Sequence, residues 1–154
     1  MKATARYRRH HSELIDLFHQ VIDVPEAEVE RSAGVISRVL SRLYGLLVVH
    51  LALEDRSLYP RMRNCNDAAL RKMAQQYEVE MGNLKERFEL FYHQWLQVST
   101  IRSEPQAFSR EAKQVIGSLL QRIERENREF YPLVDQDAAK KEQESAGLAK
   151  VQLS

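Results

Sequence analysis

The stretch HLALEDRSLYP, His50 to Pro60, is echoed by RIERENREFYP, Arg122 to Pro132. Each places a basic residue four positions before a glutamate and closes on an apolar residue, Tyr and Pro. On a helix, residues four apart share a face, so each copy points a basic side chain and a carboxylate the same way. Working outward from the two copies, apolar residues recur at spacings of three and four, and strand-like alternation is absent. Pro25, Pro60, Pro105 and Pro132 are read as helix boundaries, because an interior proline removes a hydrogen bond and crowds the preceding turn. Ser103 with Gln106 reads as a capping box, and Asn66 or Asp67 as an N-cap.

These signals predict helices over roughly 3–22, 29–61, 67–99 and 105–134. Their short joints RNCND and STIRSEP force antiparallel neighbours. The expected fold is all-α, an up-down-up-down antiparallel four-helix bundle over 1–135. Residues 136–154 form a polar tail, either a frayed helix or disordered.

The inward stripes follow from the spacing. They are Tyr7, His11, Leu14, Phe18 and Val21; then Ile36, Leu40, Leu43, Leu47, His50, Glu54 and Leu58. The third helix contributes Met73, Tyr77, Met81, Leu84, Phe88, Phe91 and Trp95, and the fourth Phe108, Ala112, Val115, Leu119, Arg122, Glu126 and Phe130. His11, His50, Glu54, Arg122 and Glu126 interrupt these apolar stripes. Antiparallel residues at one level lie equally far from their joint. Glu54 and Tyr77 have a midpoint near 65, inside RNCND, and Tyr77 and Glu126 one near 101, inside STIRSEP. His11 and His50 have a midpoint near 30, about five residues past Pro25, or roughly 8 Å of helix. The connector DVPEAEVERS would have to absorb that offset.

A buried charge is costly unless paired or metal-bound. Carboxylates and imidazoles projecting inward are how bundle metal sites are built. His10, His19 and His93 read as surface histidines, Gly34, Gly45 and Gly117 as points of close helix approach, and Met73 with Met81 as core filling. The formal net charge of +1 and the lack of a basic block argue against nucleic acid as partner. One cysteine, Cys65, cannot form an internal disulfide, which fits a reducing cytoplasm. No run approaches eighteen uninterrupted apolar residues, so no membrane insertion is expected.

With HHSEL around His11, HLALEDRSLYP around His50 and Glu54, and the second copy around Glu126, the chain resembles the hemerythrin-like, or HHE cation-binding, domains. That resemblance implies a two-iron site. One iron would be held by His11 and His50, Glu54 and Glu126 would bridge, and the other iron would use histidines of the third and fourth helices. Arg122 stands where the fourth-helix histidine is expected, and arginine cannot ligate a cation. The third helix offers Tyr77 and Met81 instead, with Glu78 one step off the inward face. His11, His50, Glu54 and Glu126 remain, enough for one four-coordinate divalent ion, iron or zinc. Met81 and Glu78 are weaker candidates. Arg122 is expected to contact Glu54 or Glu126, where its fixed charge could bridge the two carboxylates in place of the second ion, with the Tyr77 hydroxyl beside them.

The resulting expectation is a cytoplasmic sensor or regulatory protein with a degenerate centre, not a reversible oxygen carrier. The rival is a metal-free helical interaction protein whose His/Glu/Arg layer is a buried salt-bridge network, acting through a protein partner or as a homodimer. A di-iron oxidase or repair enzyme ranks last, because its ligands are missing.

Overall fold

The structure, a computed structural model, describes residues 2–153; Met1 and Ser154, the outer ends of the two expected segments, lie outside the described residues. Five helices account for nearly all of it. They are α1 (Ala5–Ile22), α2 (Ala33–Arg63), α3 (Ala68–Trp95), α4 (Val98–Ser103) and α5 (105–153). Among the described residues there is no strand. The chain is all-helical as expected, with α4 as an addition inside the joint STIRSEP. Ile101 explains it: fully buried, it pins one turn and a half of helix where a loop was expected.

Helix α1 packs on α2 and α5, and α3 packs on α5 and on the end of α2. A 3-10 turn at Glu26–Glu28, with Val29 buried behind it, spans the α1–α2 connector. The start of α1 is tied to α5, since Thr4 donates from its amide and its hydroxyl to the Asp135 carboxylate at 3.0 and 2.8 Å. Asp67 caps α3, accepting from the amides of Ala69 and Leu70 at 3.0 and 3.1 Å. The capping box at Ser103 does not form. Ser103 Oγ donates to the Thr100 carbonyl at 3.0 Å, and Glu104 occupies the N-cap ahead of Pro105.

Two expectations about prolines are overturned. Pro60 and Pro132 do not end helices; they sit inside α2 and α5. Each follows a π segment, Glu54–Leu58 and Glu126–Phe130. Tyr59 N–H reaches back to the Glu54 carbonyl and Tyr131 N–H to the Glu126 carbonyl. These i→i+5 bonds widen the turn just ahead of each ring, which relieves the clash that an α-turn would impose. The repeated motif therefore encodes a wide turn twice, and α5 runs on through the polar tail as helix to Leu153.

All five polar stripe residues are buried. Leu17, Val39, Leu51 and Ile116 are buried too, Ile116 in the place expected for the half-buried Val115. No close approach exists at Gly34, Gly45 or Gly117, where an added Cβ would meet nothing within 4 Å. By length and composition α2 could cross a membrane, with a window of mean hydropathy 1.5. Its inward stripe, His50 and Glu54 included, is instead buried inside the protein, while Val35, Val48 and Val49 are exposed.

Candidate metal centre

The α1–α2 connector absorbs the axial offset: His11 Nε2 lies 3.1 Å from His50 Nε2. His50 Nε2 is 2.8 Å from Glu54 Oε1, one turn along α2. The donor atoms of His11, His50 and Glu54 all lie within 4.8 Å of one another, fully buried, and could hold a metal ion. Glu126 Oε1 stands 3.9 Å from His11 Nε2 across the bundle.

Partners behind the two imidazoles orient them. His11 Nδ1 is 2.7 Å from Asn127 Oδ1. A carbonyl oxygen only accepts, so Nδ1 carries the proton and Nε2 turns its lone pair into the cluster. Burial and the neighbouring His50 lower the His11 pKa to about 4, which keeps it neutral. His50 Nδ1 lies 3.2 Å from His10 Nδ1. His10 is therefore no plain surface histidine. It is half-buried against His50, and its own pKa is lowered by that burial and by His50. Fixing the far nitrogen of a ligating histidine is the usual work of such outer partners.

The two carboxylates are driven apart. Burial alone would raise Glu54, but hydrogen bonds and charge from His50, with a further bond from Tyr131, pull it below the usual range. Glu126 is pushed well above that range by burial and by the Glu54 charge, more than Arg122 can offset. Without a cation, Glu54 thus favours its ionised form and Glu126 its protonated one. Glu54 Oε2 and both Glu126 oxygens are buried without a hydrogen-bond partner among the described residues. Unpartnered carboxylate oxygens beside the His11 Nε2 lone pair make a donor set that could hold a cation.

Arg122 contacts one of the two layer carboxylates, as expected, but does not bridge them. It reaches only Glu126, through Nε at 3.5 Å, inside ion-pair range but without hydrogen-bond geometry, and it does not bridge to Glu54. Its terminal nitrogens turn outward, Nη1 to Glu80 at 3.2 Å and Nη2 to the Tyr77 carbonyl, and its guanidinium lies 4.2 Å from the Tyr77 ring centroid. Glu80 also takes Arg125 at 2.6 Å. The Tyr77 hydroxyl does not join the carboxylates of the layer. It accepts from Arg125 Nε at 3.0 Å and donates to Glu129 at 3.3 Å. Glu78 is drawn away as well, pairing with Arg63 at 3.3 Å. Met81 is buried in the apolar core cluster.

Sequence reasoning missed two tyrosines. Tyr131 donates to Glu54 Oε1 at 2.6 Å, and its hydroxyl is 3.1 Å from His11 Nε2. The Tyr59 hydroxyl is buried with no hydrogen-bond partner among the described residues. Burial, with the Glu54 and Glu126 charges, raises both phenols. The signal was present: each is the Tyr of a repeated Tyr-Pro ending, five residues after a glutamate. Only an i→i+5 turn stacks that position over the glutamate.

A pH dependence follows for chelator-treated protein. The unfolded chain protonates His11 near pH 6.5 while the folded protein resists until about 4, so this residue's contribution to stability is intact above 6.5 and lost on descent towards 4. The difference amounts to about 3 kcal/mol. The raised Glu126 acts in the opposite sense, favouring the folded state as pH falls towards the ordinary carboxylate range. Urea titrations should therefore show His11→Phe gaining stability relative to wild type as pH falls from 6.5 to 4. Parallel curves would mean that His11 takes up its proton as readily in the folded protein as in the unfolded chain.

Comparison with known proteins agrees with this geometry. A search of curated proteins and a search of solved structures each return no match. The family model for the hemerythrin HHE cation binding domain matches residues 2–134. That span contains every residue of the cluster, and the chain belongs to the hemerythrin HHE cation-binding domain family.

Proposed function

We propose that this protein binds one divalent cation, iron or zinc, through His11, His50 and Glu54, with Glu126 as a farther carboxylate donor, and that the site serves a sensing or regulatory role. The observation that carries this reading is the neutral, inward-facing His11 Nε2 grouped with His50 Nε2 and the ionised Glu54. A bound cation would supply fixed positive charge to the partnerless carboxylate oxygens. Arg122 speaks against a second ion, because a buried guanidinium beside Glu126 already places a permanent charge there. Without paired irons, reversible oxygen carriage is not the role, and we read the protein as a non-enzyme. The packing of α1 on α2 and of α3 on α5 supports reading the four long helices as an up-down-up-down bundle. The single cysteine, Cys65, supports a cytoplasmic setting.

A metal-free reading is favoured by one observation. Glu54 Oε1 already receives two short hydrogen bonds, from His50 and Tyr131, so that oxygen is satisfied without an ion. Elemental analysis after equilibration with Fe(II) or Zn(II) and removal of excess ion separates the readings. About one ion per chain is expected from the surviving ligands. A value near two would refute the half-site reading. A value near zero, with unchanged melting, would leave a buried network acting through a partner.

A further inference from the structure

Tyr131 is closer to the ligand cluster than Glu126 is. Its hydroxyl oxygen is 2.6 Å from Glu54 Oε1 and 3.1 Å from His11 Nε2. Glu54 Oε1 is 2.8 Å from His50 Nε2, which is 3.1 Å from His11 Nε2. Four donor atoms from α1, α2 and α5 thus close a ring. Around an ion with ligand bonds of 2.0–2.2 Å, neighbouring donors sit roughly 2.8 Å apart in a square and roughly 3.6 Å in a tetrahedron. The ring already lies close to the square spacing, and a tetrahedron would require it to open by roughly 0.5–1 Å. Glu126 Oε1 stands outside this ring, 3.9 Å from His11 Nε2.

We propose that Tyr131 is itself a ligand, its oxygen completing a two-nitrogen, two-oxygen set with His11, His50 and Glu54 around a single ion. This rests on the reading that the site binds a cation at all. As the oxygen–metal bond forms, the phenolic proton leaves to solvent and the proton on His50 Nε2 moves to its Nδ1, facing His10, so that the hydrogen bonds both groups donate to Glu54 are replaced by shared coordination. Without an ion, the adjacent carboxylates oppose a phenolate; a cation among them reverses that local field. Packing already fixes Tyr131 in position, because its ring stacks on His11 at 5.0 Å between centroids and is fully buried. A phenolate is a hard oxygen donor, which shifts the preference of the site from zinc towards ferric iron.

The test uses ferric ion supplied as a citrate complex to the full chain, because phenolate-to-ferric charge transfer absorbs visible light. Wild-type protein is expected to take up about one iron and become coloured, with Tyr131→Phe holding iron but colourless and Tyr59→Phe keeping its colour. If Tyr131→Phe does not fold, resonance Raman spectra of the loaded wild-type and Tyr59→Phe proteins decide. Both should then show tyrosine ring modes that shift when tyrosine is ring-deuterated. Iron bound without colour or tyrosine modes, or colour that survives Tyr131→Phe, overturns the ligand role while leaving the cation site standing. Absence of bound iron, with zinc also failing to bind, overturns both.

Discussion

Saturating chelator-stripped protein with Zn(II) or Fe(II) is expected to raise its melting temperature by roughly 10 °C, and Glu54→Gln is expected to abolish most of that rise. An ion that binds only the folded chain stabilises it by about 4 kcal/mol when present at a thousand times its dissociation constant. For a domain of this size that corresponds to the shift just given. Glu54 is the discriminating position because it is the ionised carboxylate of the cluster, holding His50 at 2.8 Å and Tyr131 at 2.6 Å. The amide keeps the shape but removes the charge, so ion-free melting should change far less than the ion-induced gain. Calorimetry of both proteins with and without ion measures the difference. An equal gain in the variant would place the ion elsewhere, and no gain in wild type would favour the metal-free network.

Arg122→Met should destabilise ion-free protein by about 3 kcal/mol at neutral pH, the low end of what removing one partner of a buried ion pair costs. Arg122 is 4 % exposed and joins three groups: Glu126, Glu80 and the Tyr77 carbonyl. Methionine fills the volume of the stem but leaves Glu126, which is fully buried, with no cation in contact. The cost stays at the low end because Glu126 already favours its protonated form through burial and the Glu54 charge. Arg125→Met is the control. Arg125 shares Glu80 but is partly exposed, and such pairs contribute less than about 1 kcal/mol. Urea denaturation of the three proteins measures both effects. Equal midpoints for wild type and Arg122→Met would show that Arg122 does not hold the layer together.

Much of this was legible in the sequence because a helix converts spacing into direction. The 3-4 recurrence placed His11, His50, Glu54, Arg122 and Glu126 on inward faces, and equal distances from the joints put α2, α3 and α5 in register. Capping by Asp67 was likewise readable, since a short acidic side chain before an apolar run has a local use. What the sequence alone determined is therefore which side chains are buried together and that one histidine of the expected set is an arginine.

Tertiary structure decided where each polar group finds its partner. Arg122 is long enough to turn its terminal nitrogens out to Glu80 and Tyr77, so it serves one buried carboxylate rather than two. Tyr77 sends its hydroxyl to Arg125 and Glu129, and Glu78 is captured by Arg63. His10, assigned to the surface by its position, meets His50 because α1 and α2 approach closely there. The π segments changed most. A regular α period carries the residue five after a glutamate off the inward face, whereas the i→i+5 turn returns it. Tyr131 thereby reaches Glu54 on a different helix. Periodicity reports the face a residue occupies; the partner it meets depends on side-chain reach and on local helix geometry, and those are settled only when the helices pack.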